Sequence, residues 1–140
     1  MHRFPIYNYE TFEELPLADF QVEGVSIFVV NKDWKYLFAN NFMLYLHKLN
    51  ENELIGTSLW ETLPSDLRAT TKFQSFIEVI KSGSPSHVVL TAESNYPSVS
   101  IVGFPLQDCY YFAVSILPDK EGLLNEFKTE LEDVNHQCNN

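Results

Sequence analysis

The stretch from Asn31 to Pro64 constrains this chain more than any other. It reads N-K-D-W-K-Y-L-F-A-N-N-F-M-L-Y-L-H-K-L-N-E-N-E-L-I-G-T-S-L-W-E-T-L-P. Asn31-Lys32-Asp33-Trp34 turns the chain, because Asn and Asp side chains close turns on their own backbone. Tyr36 to Asn40 reads as a short strand. Phe42, Leu46 and Leu49 follow at spacings of four and three, which makes one helical face. Asn50-x-x-Glu53 is a capping pattern that opens a one-turn helix ending at Gly56. Leu59 to Leu63 is a short apolar turn closed by Pro64.

The flanks extend this series. Thr11-Phe12-Glu13-Glu14 has the form of a capping box, and Pro16 limits the helix it could open. Phe12, Leu15, Leu17 and Phe20 would then cap something apolar. Gly24 opens a first strand, Val25 to Val30, rich in β-branched residues. Thr70 to Ser82 is the longest central helix, with Phe73, Phe76, Ile77 and Ile80 on one face and Gly83 as its stop. Three strands are expected next: Ser86 to Glu93, Ser98 to Leu106 and Cys109 to Leu117, the first two joined tightly through Ser94-Asn95-Tyr96-Pro97. Val99, Ile101 and Gly103 share one face of the middle strand. Asp119 caps a final helix from Lys120 to about Asn135. Three strands in succession read as an antiparallel meander.

Composition bounds the function. The chain has 140 residues, the size of one domain, and 45% are hydrophobic. Its 11 Phe, 7 Tyr and 2 Trp either fill a core or line a cavity. The formal charge of -10, with no basic cluster, argues against nucleic acid and against an anionic membrane surface. No signal peptide is visible, and no apolar run approaches the roughly 18 residues that span a bilayer. Cys109 and Cys138 do not suggest a disulfide framework, which fits the cytoplasm. His2, His47, His87 and His136 show no metal-ligand spacing. No Gly-rich phosphate loop and no nucleophile motif stands out. Glu10, Glu13 and Glu14, and again Glu126, Glu130, Glu132 and Asp133, read as solvated helix faces. The chain is not expected to be an enzyme. A small α+β enzyme with an apolar cavity remains a rival reading.

Residues 24 to 119 resemble the PAS superfamily of sensing and docking modules. Asn31 stands where the family usually has an Asp, and Asn40 matches the Asn that closes its second strand. Glu53-Leu54-Ile55-Gly56 matches its E-L-I-G segment, and Val79-Ile80-Lys81-Ser82-Gly83-Ser84-Pro85 the end of its long helix. Phe104-Pro105-Leu106 matches its x-P-L segment, and Asp119 the Asp that launches its output helix. Lys48 departs from the pattern, standing where Gly is common, and Lys120-Glu121 replaces Ile-Thr. The resemblance implies an α+β fold with a five-stranded antiparallel sheet in the order 2-1-5-4-3. Helices pack on one face and a C-terminal helix follows. Residues 1–23 would form an N-terminal cap, 24–119 the core, and 120–140 a signalling or dimerisation helix with a polar tail.

The resemblance also places a pocket. Phe28, Val30, Ile101, Gly103, Ala113, Ser115 and Leu117 would face inward from the sheet, and Leu46, Leu59 and Phe76 would close the helical side. Such a lining either packs as a filled core, leaving a protein-interaction module, or holds a small apolar ligand whose identity the sequence does not give. No cofactor is expected. Light-sensing LOV members place a flavin-reactive Cys three residues after the Gly of E-L-I-G, where this chain has Leu59. Haem-binding members commonly use a His on the long helix, and residues 69 to 82 contain none. Leu124, Phe127, Leu131 and Val134, spaced three, four and three, form a short heptad seam. With Phe12 and Leu15 they are the candidate homodimer interface. A signalling kinase or regulator is the other partner expected.

Overall fold

The structure is a computed structural model that describes residues 8–91 and 98–117. Five strands form one sheet in the order β2-β1-β5-β4-β3, with β1 Val25–Asn31, β2 Tyr36–Ala39, β3 Ser86–Leu90, β4 Val99–Pro105 and β5 Cys109–Ile116. Every neighbouring pair is antiparallel. Five helices lie between β2 and β3: α1 Asn41–Leu46, α2 Glu51–Leu54, α3 Leu59–Thr62, α4 Ser65–Arg68 and α5 Thr71–Lys81. The order and the antiparallel sheet are those expected from the sequence. The helix α4 is additional. The connection through Ser94–Pro97, Asp119 and the seam Leu124, Phe127, Leu131 and Val134 lie outside the described residues.

The sheet separates two apolar clusters, because β1 is apolar on both faces. Phe28 and Val30 pack with the helices, alongside Tyr36, Phe76, Ile80 and Phe112. Ile27 and Val29 pack on the opposite face with Leu15, Phe20, Phe38, Cys109 and Tyr111. A bulge between Val29 and Val30 lets both Leu37 and Phe38 turn outward. The outer cluster is covered by two 3-10 turns, Phe12–Glu14 and Leu17–Phe20. The Glu14 carboxylate accepts from the Thr11 N–H at 3.0 Å, as the capping pattern implied. Phe20 is wholly buried, with edge contacts to Phe38 and Tyr111 at 6.1 and 5.3 Å. The segment before β1 is therefore part of the same packed body as the core.

That packing alters the dimer expectation. Leu15 is 6% exposed and Phe12 half-buried against the chain's own sheet. Leu15 has no surface left to offer a partner.

The inner cluster is dominated by rings. Phe28 stacks on Phe112 at 5.2 Å, and Phe112 meets Phe76 at 6.1 Å. Trp34 stacks on Tyr110 at 4.5 Å and touches Trp60 at 5.0 Å. Trp34 holds the left-handed conformation, φ 66°, which costs a non-glycine residue about 1–2 kcal/mol. These ring contacts, with a third to Phe112 at 6.3 Å and each worth ~0.5–1.5 kcal/mol, offset that strain. Among the described residues, no helix is long and apolar enough to cross a membrane.

Candidate functional site

Between the inner sheet face and the helices lies a cavity of about 590 Å³. Ser26 and Phe28 of β1, Tyr36 of β2, Val99 and Ile101 of β4, and Phe112, Val114 and Ile116 of β5 form its floor. Met43, Leu46 and His47 close it from α1, Leu59 and Thr62 from α3, Leu67 from α4, and Phe73, Phe76 and Ile77 from α5. Leu49, Leu63 and Pro64 add the intervening loops.

Of the residues expected to line a pocket, Phe28, Leu46, Leu59, Phe76 and Ile101 do so. Val30 belongs to the inner cluster without reaching the cavity. Gly103 also points inward, but into the contact with α5. A Cβ there would lie 2.7 Å from Ile80 Cδ1 and 3.0 Å from the rings of Phe76 and Phe112.

Ala113, Ser115 and Leu117 do not line it. Phe28 pairs with Phe112, so the inward set on β5 is Phe112, Val114 and Ile116. Ala113 packs into the outer cluster, and Ser115 shares its parity. Leu117 stands beyond the strand, its N–H donating to the Ser98 carbonyl at 2.8 Å. A shift of one residue exchanges the two faces of a strand. Nothing in Cys-Tyr-Tyr-Phe-Ala-Val-Ser-Ile prevents that misreading, because both faces are largely apolar.

The α1 face also differs from the sequence reading. Asn40 caps this helix, its side-chain oxygen accepting from the Met43 N–H at 3.0 Å. Met43, Leu46 and His47, spaced three and four, then turn to the cavity. Phe42 instead faces a shallow groove with Tyr45 and Val22. His47 therefore shares the cavity side with Leu46. Apolar surroundings hold its imidazole below the usual pKa. The 3-and-4 spacing from Met43 was the available signal, overlooked because Phe42 and Leu49 are the more apolar pair.

Polar groups on the wall are few. The Thr62 hydroxyl donates to the Leu59 carbonyl at 2.8 Å and lies 2.7 Å from the Tyr36 hydroxyl. Burial raises the Tyr36 pKa above the ordinary phenol value. Ser26, buried at the start of β1, is the remaining hydroxyl on the floor. The described cysteine, Cys109, lies in the outer cluster, where burial pushes its thiol up to about 12. Among the described residues, no group of three His, Cys, Asp or Glu side chains is arranged to hold a metal.

This sheet order, with its helices on one face, is shared with solved structures. The PAS domain of Bordetella pertussis BvgS superposes with a TM-score of 0.57 at 15% identity, over 84% of this chain and 94% of that one. This chain has the PAS fold. The LOV protein of Rhodobacter sphaeroides is also similar, with a TM-score of 0.58 at 18% identity. That match covers 73% of this chain but 65% of the other, less than two thirds of its length. The photoactive yellow protein domain of the sensor histidine kinase Ppr from Rhodospirillum centenum gives 0.57 at 15% identity, over 73% of this chain and 94% of that one. No family model matches the sequence, and no curated protein matches it. The cavity lies between the PAS sheet and its helices, where the resemblance to the family had located it.

Proposed function

We propose that this chain is a sensory module of a signal-transduction system and that its cavity holds a small, largely apolar molecule. The cavity carries the reading. A volume of about 590 Å³ falls within the ~300–1,000 Å³ typical of small-molecule sites. A domain that used this face only for packing would fill it, since interiors pack like organic crystals. The similar photoactive yellow protein domain of a sensor histidine kinase supports a signalling context. A pure interaction module with a filled core is the weaker reading.

The ligand in this proposal is not a LOV-type flavin and not haem. Leu59 offers no thiol at the adduct position, and Cys109 lies across the sheet. The helix α5 carries no His. An enzyme is also disfavoured: among the described residues His47 is the wall's one imidazole, and no carboxylate joins it there. The buried free thiol of Cys109 is compatible with a reducing cytoplasm. A homodimer through Leu124, Phe127, Leu131 and Val134 stays part of the proposal, now without Leu15. A signalling kinase or regulator is the partner such a module would address.

Two measurements test the ligand. Purified protein is denatured, extracted into organic solvent and analysed by mass spectrometry for a stoichiometric small molecule. The uncharged dye N-phenyl-1-naphthylamine is then added to the emptied protein, where apolar burial should raise its fluorescence. Val114→Trp, which fills the floor, should abolish that rise while the fold persists. No extractable molecule together with no dye binding would leave the interaction-module reading standing instead.

A further inference from the structure

The cavity wall is almost entirely uncharged. Among the described residues it contains no Asp, Glu, Lys or Arg, and its titratable groups are Tyr36 and His47. The first is pushed toward its protonated, neutral form by burial and the second toward its neutral form. An ionised ligand would lose its hydration here without meeting a counter-charge, which disfavours binding strongly.

Hydrogen-bond direction narrows the ligand further. The Leu59 carbonyl can only accept, so the Thr62 hydroxyl spends its one proton there, at 2.8 Å. The Thr62 oxygen must then accept the proton of the Tyr36 hydroxyl, at 2.7 Å. Tyr36 has thus committed its donor and keeps a free acceptor lone pair on a residue 2% exposed and lining the cavity. Tyr36 pairs with Val30, four residues along β1 from Ser26. At about 3.3 Å per residue the two hydroxyl-bearing positions stand roughly 13 Å apart along the floor. Between them on the sheet lies Phe28, paired with Phe112, whose ring also meets Phe76 at 6.1 Å.

We propose that this cavity selects an uncharged, elongated apolar alcohol or phenol, whose hydroxyl donates to the Tyr36 oxygen while its apolar body runs along the rings toward Ser26. The inference rests on the reading that the cavity binds a small molecule, and it adds the chemistry that such a molecule must carry.

The test uses the full chain at pH 8, loaded with N-phenyl-1-naphthylamine. The dye is displaced by 1-decanol, by 1-methoxydecane, which has the oxygen but no donor, and by decanoate, which carries a charge. The alcohol should displace the dye at roughly three- to tenfold lower concentration than the ether, the worth of one hydrogen bond. Decanoate should be weaker than the alcohol by about tenfold or more. Tyr36→Phe should still bind the dye but lose the preference of alcohol over ether. Thr62→Val, on an exposed residue, provides a second test. It frees the Tyr36 proton, which the ether oxygen can then accept, so the preference should narrow. Equal displacement by decanoate and decanol, or a preference that survives both substitutions, overturns the inference while leaving the cavity a binding site. Failure of the wild-type chain to bind the dye removes the ligand reading itself, and this inference with it.

Discussion

Replacing Asn40 should destabilise this protein more than its single side chain suggests. Asn40 is wholly buried, and its amide uses all of its capacity. Oδ1 accepts from the N–H of Ile27 at 3.1 Å and from that of Met43 at 3.0 Å. Nδ2 donates to the carbonyls of Phe20 at 2.9 Å and Val25 at 3.0 Å. One residue therefore joins the N-terminal cap, β1 and α1. Asn40→Ala leaves four backbone groups without that partner. At about 1 kcal/mol for each bond, with the helix cap among them, the loss should reach ~3–5 kcal/mol. That is a large share of the ~5–15 kcal/mol that holds a typical domain folded. Urea unfolding followed by circular dichroism reads it directly. With a slope of ~1–3 kcal/mol/M the midpoint should fall by roughly 2 M.

Asn40→Asp sharpens the test. The carboxylate keeps both acceptor bonds but sets an oxygen against the carbonyls of Phe20 and Val25. At pH 7 it should be at least as damaging as alanine. Its folded pKa should be raised, so its stability should recover as pH falls toward the ordinary carboxyl value of about 3.9. An alanine variant that loses less than ~1 kcal/mol, or an aspartate variant as stable as wild type at pH 7, would refute this account of Asn40.

Further outcomes follow from the same geometry. Lys48 sits in the left-handed region, φ 55°, so Lys48→Gly should raise stability by roughly 0.5–1 kcal/mol, read by urea unfolding. Gly103→Ala should cost ~1–3 kcal/mol by overpacking against Ile80, Phe76 and Phe112, and any relief by the two rings moving into the cavity should weaken dye binding. Alkaline pH should destabilise the native state. Burial raises the pKa of Cys109 from the ordinary thiol range to about 12, with Tyr36 and Tyr111 also raised. The native form thus holds protons that the unfolded chain gives up, and stability should fall from about pH 9 upward by ~1.4 kcal/mol per pH unit for each such group. A stability flat to pH 11 would contradict that burial.

Much of the architecture was legible because strong local signals agreed with one another. Thr70 and Gly83 bracket α5, whose buried residues are the Phe73, Phe76, Ile77 and Ile80 read from the sequence. Asn50 caps α2 at 2.9 Å, as its pattern required. Alternation on β4 named its inward residues correctly. The errors fall where the pattern carries less information. The strand β5 is apolar on both faces, so its parity came from pairing with β1 rather than from its own residues. The helix α1 has six residues, too few for its apolar stripe to fix its rotation, which the Asn40 cap decides instead. Leu15 reads from the sequence both as a cap over something apolar and as part of a dimer interface, and only the apolar outer face of β1 and β5 decides for the cap.

The two walls of the cavity are built on different principles, and that difference bears on how a ligand would be read. The sheet wall is held by long pairings and by the stacked rings of Phe28 and Phe112 at 5.2 Å, with α5 set against it through Phe76, 6.1 Å from Phe112. Besides the eleven-residue α5, the opposing side consists of helices of four to six residues, α1 to α4. Helices of this length have almost no intrinsic stability, since nucleation costs more than so few bonds return. They persist here through side-chain caps from Asn40, Asn50 and Ser58 and through the apolar residues they turn inward. Those inward residues include Leu46, Leu59 and Leu67, which are also the cavity lining. An occupied cavity therefore contributes contacts to the wall that has the fewest of its own, and an empty one withdraws them. The sheet, anchored on both faces, has little to gain from the same ligand. On the proposed sensing role, a ligand-dependent change would then arise in α1 to α4, beginning at Asn40, where the cap of α1 shares a single amide with β1 and the N-terminal segment.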